Sequence, residues 1–407
     1  MLRLQAFRFE LTPNGQQRRA MCRFAGACRY VYNKALALLK ENHAAGKPYI
    51  AYVAMAKQLT AWRNGPETPW LRQAPCHPLQ HALKHLDQAF KNFFAKRAAY
   101  PRFKRKGCGD AFRFPDAKQI KLDQANSRIF LPKLGWLRYR NSRTVPGKVR
   151  NVTVSRVAGK WFVAIQTQRE AESAPTASVS AVGIDVGIVR FATLSDGTPI
   201  EPVNCLKRHQ LRLARYQRQM SRKVKFSKNW RKAKARVQRL HARIANMRKD
   251  FLHKASSAIS AGHAVVCIEE LQIRNMTKSS RGTVQQPGRM VSQKRGLNRS
   301  ILDQGWGEFR RQLAYKIAWR GGTLITVPPQ YTSQTCPDCG LVSPANRRSQ
   351  AAFECIACGY RNHADMVGAI NIRERGLRSL ARGEPVQSGR SVKQEPADAA
   401  GRVCPAQ

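Results

Sequence analysis

The chain has 407 residues, of which 73 are Lys or Arg and 24 are Asp or Glu, giving a formal net charge of +49. Such a charge repels itself strongly unless a polyanion neutralises it, which favours a nucleic-acid partner and argues against a metabolic enzyme of acidic or neutral substrates. The length allows two or three domains of about 150 residues each, and the 43% of hydrophobic residues indicates a folded protein rather than a basic disordered tail.

The N-terminus, residues 1–13, lacks the apolar core of a secretory signal, and no run of about 18 apolar residues would span a bilayer. Eleven cysteines, an odd number, in a chain without an export signal favour reduced thiols. These features predict a cytoplasmic protein that does not associate with membranes.

Residues 2–11 alternate apolar and polar side chains with a period of two, which predicts a β-strand. The alternation changes phase between Ala6 and Phe7, which indicates a β-bulge or a bend. Thr12 and Pro13 follow as the expected N-cap and first helical residue. Apolar residues then recur every three or four positions, so we expect a helical insert over residues 13–107.

Basic and aromatic residues are interleaved near the end of this insert, between residues 84 and 106. Basic side chains suit backbone phosphates, and exposed aromatic rings would stack on bases. We expect most of these rings to pack in the helical core instead. The candidate phosphate-binding residues in this stretch are Lys104, Arg105 and Lys106.

Residues 110–170 read again as strands. The clearest pair, 152–157 and 161–167, is joined at 158–160 as a β-hairpin. The N-terminal strand has no partner nearby in sequence, so we expect it to pair with these later strands and the helical insert to interrupt a β-domain. A linker of small residues follows at 171–180.

Asp185 lies in the middle of the apolar strand VGIDVGI, which a hairpin turn at 195–198 follows. A second apolar strand, residues 264–268, ends in Glu269 and Glu270. A carboxylate buried there without a partner would be strongly destabilising, so each acid should have a cationic partner, a metal or a water-filled cleft. For any single acid, a salt bridge and a metal site explain the pattern equally well.

Between these two strands, residues 205–254 contain eighteen Lys or Arg and one acid, Asp250. Apolar residues at 237, 240, 244, 247 and 251 predict a helix with one buried stripe. A merely solvated face would include acids to reduce repulsion, so phosphate binding is the favoured interpretation. The candidate residues on this helix are Arg236, Arg239 and Arg243.

Two CxxC pairs, Cys336 with Cys339 and Cys355 with Cys358, are separated by fifteen residues. This spacing is typical of a four-thiolate zinc site, whereas a redox-active CxxC would not explain the second pair. A glycine follows each pair, where a tight turn often needs a positive φ. Four protein ligands close the coordination shell, which predicts a structural zinc. We expect the other cysteines to be mostly buried small residues: Cys22, Cys28, Cys76, Cys108, Cys205, Cys267 and Cys404.

Asp365 opens an expected helix after the cysteines. Carboxylates from a strand, a second strand and a helix would converge to hold two divalent cations, a set that suits Mg²⁺ and phosphodiester cleavage. A salt bridge could explain any one of these acids alone. It does not explain why Asp185, Glu269 and Asp365 follow one another on a strand, a strand and a helix. Residues 377–407 have no periodic apolar positions and predict a disordered tail.

This order of elements resembles the TnpB (OrfB) family of transposon-encoded RNA-guided endonucleases, which are relatives of type V CRISPR effectors. The matching strings are GIDVGI, VCIEEL, VPPQYTSQTCPDCG and DMVGAINI, supported by YVYNKAL, AFKNFFAKRAAYPRFKRKG and RKDFLHKAS. The resemblance covers about residues 1–376.

The resemblance implies an α+β multidomain fold. A wedge β-barrel, residues 1–12 and 108–175, would be interrupted by a helical recognition domain, residues 13–107. An RNase H-like RuvC nuclease domain, residues 181–328 and 363–376, would carry an inserted zinc ribbon at 329–362.

The same resemblance implies that Asp185, Glu269 and Asp365 are the catalytic acids and that they bind Mg²⁺ or Mn²⁺. Glu269 is preferred over Glu270 because the family pattern places the catalytic Glu first. The implied partners are a guide RNA made from the transposon end and a double-stranded target DNA with a short flanking motif, in the cytoplasm of a prokaryote.

The sequence departs from the family pattern beside Asp365. The family carries an acid and an Arg just before this Asp and an Asn two residues after it. This chain has His363, Ala364 and Val367 at those positions. The change alters the expected surroundings of the third acid but keeps the acid itself.

Two other functions would fit part of the pattern. A nuclease-inactive RNA-guided DNA-binding repressor would have lost at least one of the three acids, and all three are present. An unguided zinc-ribbon protein that binds nucleic acid would explain the charge and the cysteines but not the buried acids.

Overall fold

A computed structural model describes residues 2–171 and 180–382 of the chain. These residues form two compact units, one on either side of the gap. The expected linker at 171–180 and the end of the expected tail lie mostly outside the described residues. No helix among the described residues is both long enough and apolar enough to cross a membrane.

The first unit begins with a strand and three helices. They are β1 (Leu2–Leu11), α1 (Gly15–Ala44), α2 (Tyr52–Asn64) and α3 (Cys76–Phe94). The N-cap of α1 is Asn14 rather than Thr12, because Asn14 accepts from the backbone N–H of Gln17 while the Gln17 side chain accepts from the backbone of Asn14. The helices end at Phe94, so the helical pattern expected over residues 13–107 was wrong for residues 95–107.

Six further strands complete this unit. They are β2 (Ala111–Phe114), β3 (Lys121–Asp123), β4 (Arg128–Leu131), β5 (Gly135–Arg138), β6 (Lys148–Val157) and β7 (Lys160–Glu170). One sheet has the order β1-β7-β6-β2, and the other is β3-β4-β5. The expected pairing of the N-terminal strand with the late hairpin is confirmed, since β1 runs antiparallel to β7.

The β-bulge expected between Ala6 and Phe7 is absent, because β1 pairs with β7 without interruption along its whole length. The phase change in the sequence has a simpler cause. Phe7 and Phe9 face the core, whereas Leu2 and Leu4 are exposed. An irregularity of register occurs instead in β6, between Val149 and Asn151.

The second unit contains the remaining elements. They are β8 (Ala181–Val186), β9 (Ala192–Leu194), β10 (Pro199–Ile200), α4 (Cys205–Ser221), α5 (Lys228–Gly262), β11 (Val265–Glu269), α6 (Ile273–Met276), α7 (Val291–Gln304), α8 (Trp306–Ala318), β12 (Thr323–Val327), β13 (Ala352–Glu354), β14 (Arg361–His363) and α9 (Ala364–Ala381). The expected long basic helix is divided between α4 and α5. Its apolar stripe packs against α4 through Val237, Leu240 and Ile244.

The main sheet of this unit has the order β10-β9-β8-β11-β12. Strands β8, β11 and β12 are parallel, while β9 runs antiparallel to β8 and β10 antiparallel to β9. The carboxyl ends of β8 and β11 therefore meet at one edge of the sheet. The tight turn at 195–198 is confirmed, with the Leu194 N–H donating to the Thr198 carbonyl.

Helix α9 lies directly on this sheet because glycines remove side chains at the contact. A Cβ on Gly183 of β8 would stand 2.0 Å from the Ala369 carbonyl oxygen, and one on Gly376 would stand 2.3 Å from the Cys267 sulfur. The start of α9 is thereby brought to the sheet edge that carries the ends of β8 and β11. The helix extends to Ala381, so the expected disordered tail was wrong for its first five residues, 377–381.

Candidate functional site

Each of the three predicted acids lies at an element end on this edge. Asp185 is the fifth residue of β8, Glu269 is the last residue of β11, and Asp365 is in the first turn of α9. The side chain of Asp185 lies against α9, since a Cβ on Gly368 would be 3.0 Å from its Oδ2 atom. Gly368 thus leaves room for the Asp185 carboxylate one turn beyond Asp365.

Asp185 is surrounded by negative charge in a poorly solvated position. Burial, followed by the neighbouring charges of Glu269 and Asp365, raises its pKa to about 7, while Arg347 opposes this rise. Asp185 forms no ion pair with any residue in the described ranges. A half-buried carboxylate beside two others fits a cationic ligand better than a salt bridge.

The two adjacent glutamates have different surroundings. Glu269 is half-buried, accepts a hydrogen bond from the Thr332 hydroxyl at 2.7 Å, and has a pKa raised by burial. Glu270 is exposed and pairs with Arg310 at 3.3 Å. Of the two, only Glu269 contributes to the raised pKa of Asp185.

A loop from β12 to the first cysteine pair holds Glu269. Thr332 is the buried residue of this loop, and two side chains of α9 fix the loop's backbone. The Asn371 amide donates to the carbonyls of Thr332 and Thr335, both at 2.8 Å. Arg375 donates to the Gln330 carbonyl. The helix that carries Asp365 therefore also positions the hydroxyl that holds Glu269.

The departures from the family pattern have structural roles. His363 is the N-cap of α9, and its Nδ1 atom accepts from the backbone N–H of Asp365 at 3.2 Å. Val367 is fully buried in an apolar cluster with Cys336, Phe353 and Cys355. A polar side chain at 367 would lose this packing against the ribbon.

The four predicted cysteines form one cluster, whose ligand atoms all lie within 4.8 Å of one another. The sulfurs of Cys336 and Cys358 are 3.6 Å apart, and those of Cys339 and Cys355 are 3.5 Å apart. A tetrahedral zinc with bonds of about 2.3 Å requires sulfurs about 3.8 Å apart, so the set fits zinc. In the described ranges, the three acids do not reach this mutual 4.8 Å spacing.

The two CxxC turns, Cys336–Cys339 and Cys355–Cys358, are called knuckles below, and they have the geometry expected of thiolate ligands. Gly340 and Gly359 adopt φ values of +77° and +74°, as predicted from the sequence. The backbone N–H of Cys358 lowers the pKa of Cys355 to about 6, whereas burial and the neighbouring thiols raise the pKa of Cys358 to about 12. Buried Asn346 joins the knuckles, donating to the Leu341 carbonyl and accepting from the Ile356 N–H.

The remaining cysteines match the expectation only in part. Cys28, Cys205 and Cys267 are buried, but Cys22 and Cys108 are exposed and Cys76 is partly exposed. Cys404 lies outside the described residues. Burial was expected because cysteine is usually a buried residue type. Cys22, Cys76 and Cys108 instead lie on helix faces or in a surface turn.

The predicted phosphate-binding residues are mostly at the surface. Arg236, Arg239 and Arg243 are exposed along α5, and Arg105 and Lys106 are exposed in the loop after α3. Lys104 is different, because its ammonium lies 4.2 Å from the ring centre of Tyr32. The expectation that the nearby rings are mostly core residues was wrong for Phe94, Tyr100 and Phe103, which are exposed.

Three known sequence families match parts of the chain. The OrfB family of IS605 elements, described as "Probable transposase", matches residues 162–280. A "Cas12f1-like, TNB domain" matches residues 306–372, and a "Helix-turn-helix domain" matches residues 1–48. In this structure, residues 2–48 contain β1 and one long helix, α1.

Similar proteins cover almost the whole chain. "Putative RNA-guided DNA endonuclease InsQ" of Escherichia coli K12 is 58% identical over 98% of both chains. A "Putative RNA-guided DNA endonuclease" of Streptomyces pristinaespiralis is 36% identical over 96% of both. The "CRISPR-associated endodeoxyribonuclease Cas12f1" of Sulfoacidibacillus thermotolerans is 32% identical over 33% of this chain and 29% of its own.

The fold is also similar to that of a solved structure, "Cryo-EM structure of the Cas12f1-sgRNA-target DNA complex". The TM-score is 0.57 at 10% identity, over 91% of this chain and 99% of the other. This likeness shows a shared mixed α+β fold.

Proposed function

The chain belongs to the TnpB (OrfB) family of transposon-encoded proteins, and from this membership we propose that it is an RNA-guided DNA endonuclease that cleaves DNA phosphodiester bonds. The proposal is supported by the names of relatives that align with it from end to end. The large excess of positive charge suits a protein that holds RNA and DNA together.

One observation carries the catalytic part of the proposal. Asp185, Glu269 and Asp365 converge on one sheet edge, and the two neighbours raise the pKa of Asp185. We propose these three as the catalytic acids and as ligands of Mg²⁺ or Mn²⁺. Divalent cations bound there would activate the attacking water and stabilise the leaving oxygen.

The residues around the acids would set their geometry. Thr332 holds one oxygen of Glu269 and leaves the other free to bind a cation. Gly368 admits the Asp185 carboxylate, and the first turn of α9 presents Asp365 at a helix N-terminus. Each carboxylate is therefore fixed by its own backbone element before any substrate binds, which reduces the entropy lost on reaching the transition state.

We assign the second unit to an RNase H-like RuvC domain. A five-stranded sheet with three parallel strands and one antiparallel neighbour, covered by α9, supports this assignment. The cysteine cluster lies in the segment 329–362, which we propose as the zinc ribbon. Its zinc would be structural, since all four positions are filled by cysteines.

In the first unit, we assign the two sheets to the wedge domain and helices α1–α3 to the recognition domain. An isolated bridge between Leu11 and Tyr139 joins the two sheets at the end of β1, which supports a barrel-like arrangement. The helices enter between β1 and β2, so the wedge domain is built from two separated parts of the chain. We propose the domain limits that the sequence suggested, residues 1–12 and 108–175 for the wedge domain and residues 13–107 for the recognition domain.

The proposed partners are a guide RNA from the transposon end and a double-stranded target DNA. The exposed arginines of α5 and the loop at 105–106 would contact phosphates. Base pairing by the guide would select the target, and the protein would read a short flanking motif.

The test uses the full chain purified with its RNA and a plasmid that carries the guide match beside a randomised flank. We expect cleavage with Mg²⁺ and none when Mg²⁺ is omitted, a condition that leaves the zinc in place. Asp185→Asn should abolish cleavage while the RNA still co-purifies. Asp196→Asn is the matched control, because Asp196 lies at the nearby exposed hairpin and should be dispensable.

Two results would contradict the proposal. Absence of cleavage at every flank would refute the nuclease, and full cleavage by Asp185→Asn would refute the assigned acids. Co-purification of RNA of many sizes, instead of one discrete species, would indicate an unguided binding protein.

A further inference from the structure

A groove of about 950 Å³ runs along one face of α1 in the first unit. Its floor is the helix from Cys22 to Ala37. Its walls are the short helical turn Pro69–Gln73 and the loop that carries Phe103 and Lys106. The volume is in the range of known ligand sites, which is about 300–1,000 Å³. None of the proposed catalytic residues belongs to it.

A glycine lies in the middle of the helical floor. Gly26 weakens α1 relative to alanine, so a glycine at this position needs a reason. The usual reason, close packing against another part of the protein, does not apply. In the described part of the chain, the nearest atom to a Cβ at this position would be a guanidinium nitrogen of Arg29, 3.7 Å away. The missing side chain keeps the floor of the groove open.

Aromatic rings line the walls of the groove. Trp70 is 40% exposed and Phe103 is 48% exposed, although both are large apolar side chains. Tyr30 meets Trp70 edge-to-face, with the ring centres 5.0 Å apart. This contact leaves much of the indole surface uncovered. Exposed rings in a concave site suit a planar apolar ligand.

The rim of the groove is positively charged. Arg23 and Lys106 are exposed, and neither forms an ion pair or side-chain hydrogen bond in residues 2–171 or 180–382. The described residues that line the groove include no Asp or Glu. The ligand therefore combines a planar ring with an adjacent negative charge.

We propose that this groove binds an unpaired nucleotide of the bound RNA, with its base against Trp70 and Phe103 and its phosphates near Arg23 and Lys106. The inference rests on the proposed function, because that function supplies the RNA. Bases within a duplex face inward, so an aromatic groove needs an unstacked nucleotide. Single-stranded loops of a folded RNA provide such nucleotides continuously, whereas target DNA is paired before it is opened.

The experiment is ultraviolet cross-linking of the full chain purified with its RNA, followed by mass spectrometry of peptide–nucleotide adducts. We expect ribonucleotide adducts on the peptides that contain Trp70 and Phe103. The measurement is repeated after target DNA is added. Adducts of RNA and DNA are then told apart by mass, because ribose is heavier than deoxyribose. Deoxyribonucleotide adducts at Trp70 without ribonucleotide adducts would overturn the assignment to RNA.

A pair of substitutions in α1 tests the groove itself. Gly26→Leu fills the floor, and we expect about tenfold weaker RNA binding, which is within the usual effect of losing one stacked base, together with loss of the Trp70 adduct. Gly15→Leu is the matched control, because it makes the same change at an exposed position of α1 that does not line the groove, and it should bind RNA as the unaltered chain does. Helical circular dichroism and the melting temperature show that both variants are folded.

Trp70→Ala and Trp70→Phe provide a second test that leaves α1 unchanged. We expect the alanine variant to weaken RNA binding and the phenylalanine variant to retain most of it. Unchanged adducts in Gly26→Leu, or adducts elsewhere on the chain but none at Trp70, would overturn this inference and leave the proposed function standing. Failure of any RNA to co-purify would instead overturn the proposed function, and this inference with it.

Discussion

Thr332 donates its hydroxyl hydrogen to the Oε1 atom of Glu269 across 2.7 Å. The two residues are 63 positions apart in the sequence, and the hydroxyl is buried. Thr332 is fixed in turn by Asn371 of α9 through the Thr332 carbonyl. The middle acid of the proposed site is thus oriented from the helix that carries the third.

Thr332→Val removes this hydroxyl and keeps the shape of the side chain. We expect DNA cleavage to fall about 10- to 100-fold, as when other groups that orient metal ligands are lost. The measurement is the cleavage rate at a series of Mg²⁺ concentrations, and the loss should be largest at low Mg²⁺. Zinc content should be unchanged.

Thr332→Ser is the control, because serine keeps the hydroxyl and loses only a methyl group. It should retain most of the activity. Equal losses in the valine and serine variants would show that packing, rather than the hydrogen bond, explains the effect.

Asp185→Asn should stabilise the Mg²⁺-free protein at high pH. The pKa of Asp185 is about 7 in the folded chain and 3.8 as its ordinary value. The folded state therefore binds the proton more tightly, and stability falls by up to about 1.4 kcal/mol per pH unit between those two values. Asparagine stays neutral and avoids this loss.

The measurement is the melting temperature of both proteins, zinc-loaded and without Mg²⁺, at pH 5 and pH 8. The advantage of Asp185→Asn should be greater at pH 8 than at pH 5. Asp250→Asn should show no such pH-dependent gain, since Asp250 is exposed on α5 and its ion pair is with a lysine, Lys254. An advantage that is equal at both pH values would contradict the raised pKa.

Gly183→Ala should destabilise the second unit. Its Cβ would stand 2.0 Å from the Ala369 carbonyl oxygen and 2.7 Å from the Arg373 backbone nitrogen, so α9 would have to move off β8. Overpacking of this kind costs about 1–3 kcal/mol or more. Thermal unfolding measures the effect, and DNA cleavage should fall with it because α9 carries Asp365.

The matched substitution is Gly262→Ala at the end of α5, where a Cβ would meet nothing within 4 Å. It should leave the melting temperature close to that of the unaltered chain. If both variants lowered the melting temperature equally, the close approach of α9 to β8 would not explain the effect of Gly183→Ala.

Asn346→Leu should weaken zinc binding. The Asn346 side chain is fully buried, and it bonds to the backbone of both knuckles. Leucine would leave the Ile356 N–H without its acceptor, which costs about 1–3 kcal/mol for a buried group. The Leu341 carbonyl would lose one of two hydrogen bonds and keep the one from the Cys336 N–H. The rate of zinc release to a chromogenic chelator should rise at least tenfold.

Asn362→Ala is the control for this measurement, because Asn362 is an exposed asparagine of the same segment whose amide donates to the Tyr360 hydroxyl and accepts from the His363 N–H, and so bonds to neither cysteine turn. Its zinc release should be nearly unchanged. Release that is insensitive to Asn346→Leu would show that the knuckles hold together without this amide.

Residue spacing was enough to predict the cysteine cluster, because a CxxC turn places both of its sulfurs on one side whatever surrounds it. Asp185, Glu269 and Asp365 could also be singled out, since an acid inside or beside an apolar run is visible in the sequence. Asp185 was expected in the middle of its strand, but β8 ends one residue after it. That these acids meet at one edge depends on parallel pairing of β8 with β11. No local pattern specifies that pairing, and it was expected only from the family resemblance.

Thr332, Asn371 and Asn346 were not predicted as site residues. Each is a small polar residue without periodicity, and its role depends on a backbone carbonyl or carboxylate brought near by the fold. The only available signal for Thr332 was its place in the string VPPQYTSQTCPDCG. The bulge expected in β1 failed for a related reason, because the sequence shows which residues are apolar but not which apolar residues stay exposed.

The central claim is that the RNA held by the chain directs DNA cleavage. The most direct test replaces the guide segment of that RNA with an unrelated sequence and presents plasmids that match the old and new guides, each beside a randomised flank. We predict that Mg²⁺-dependent cleavage moves to the plasmid matching the new guide and is lost by Asp185→Asn. Cleavage that ignores the guide sequence, or that never occurs at any flank, would contradict the account.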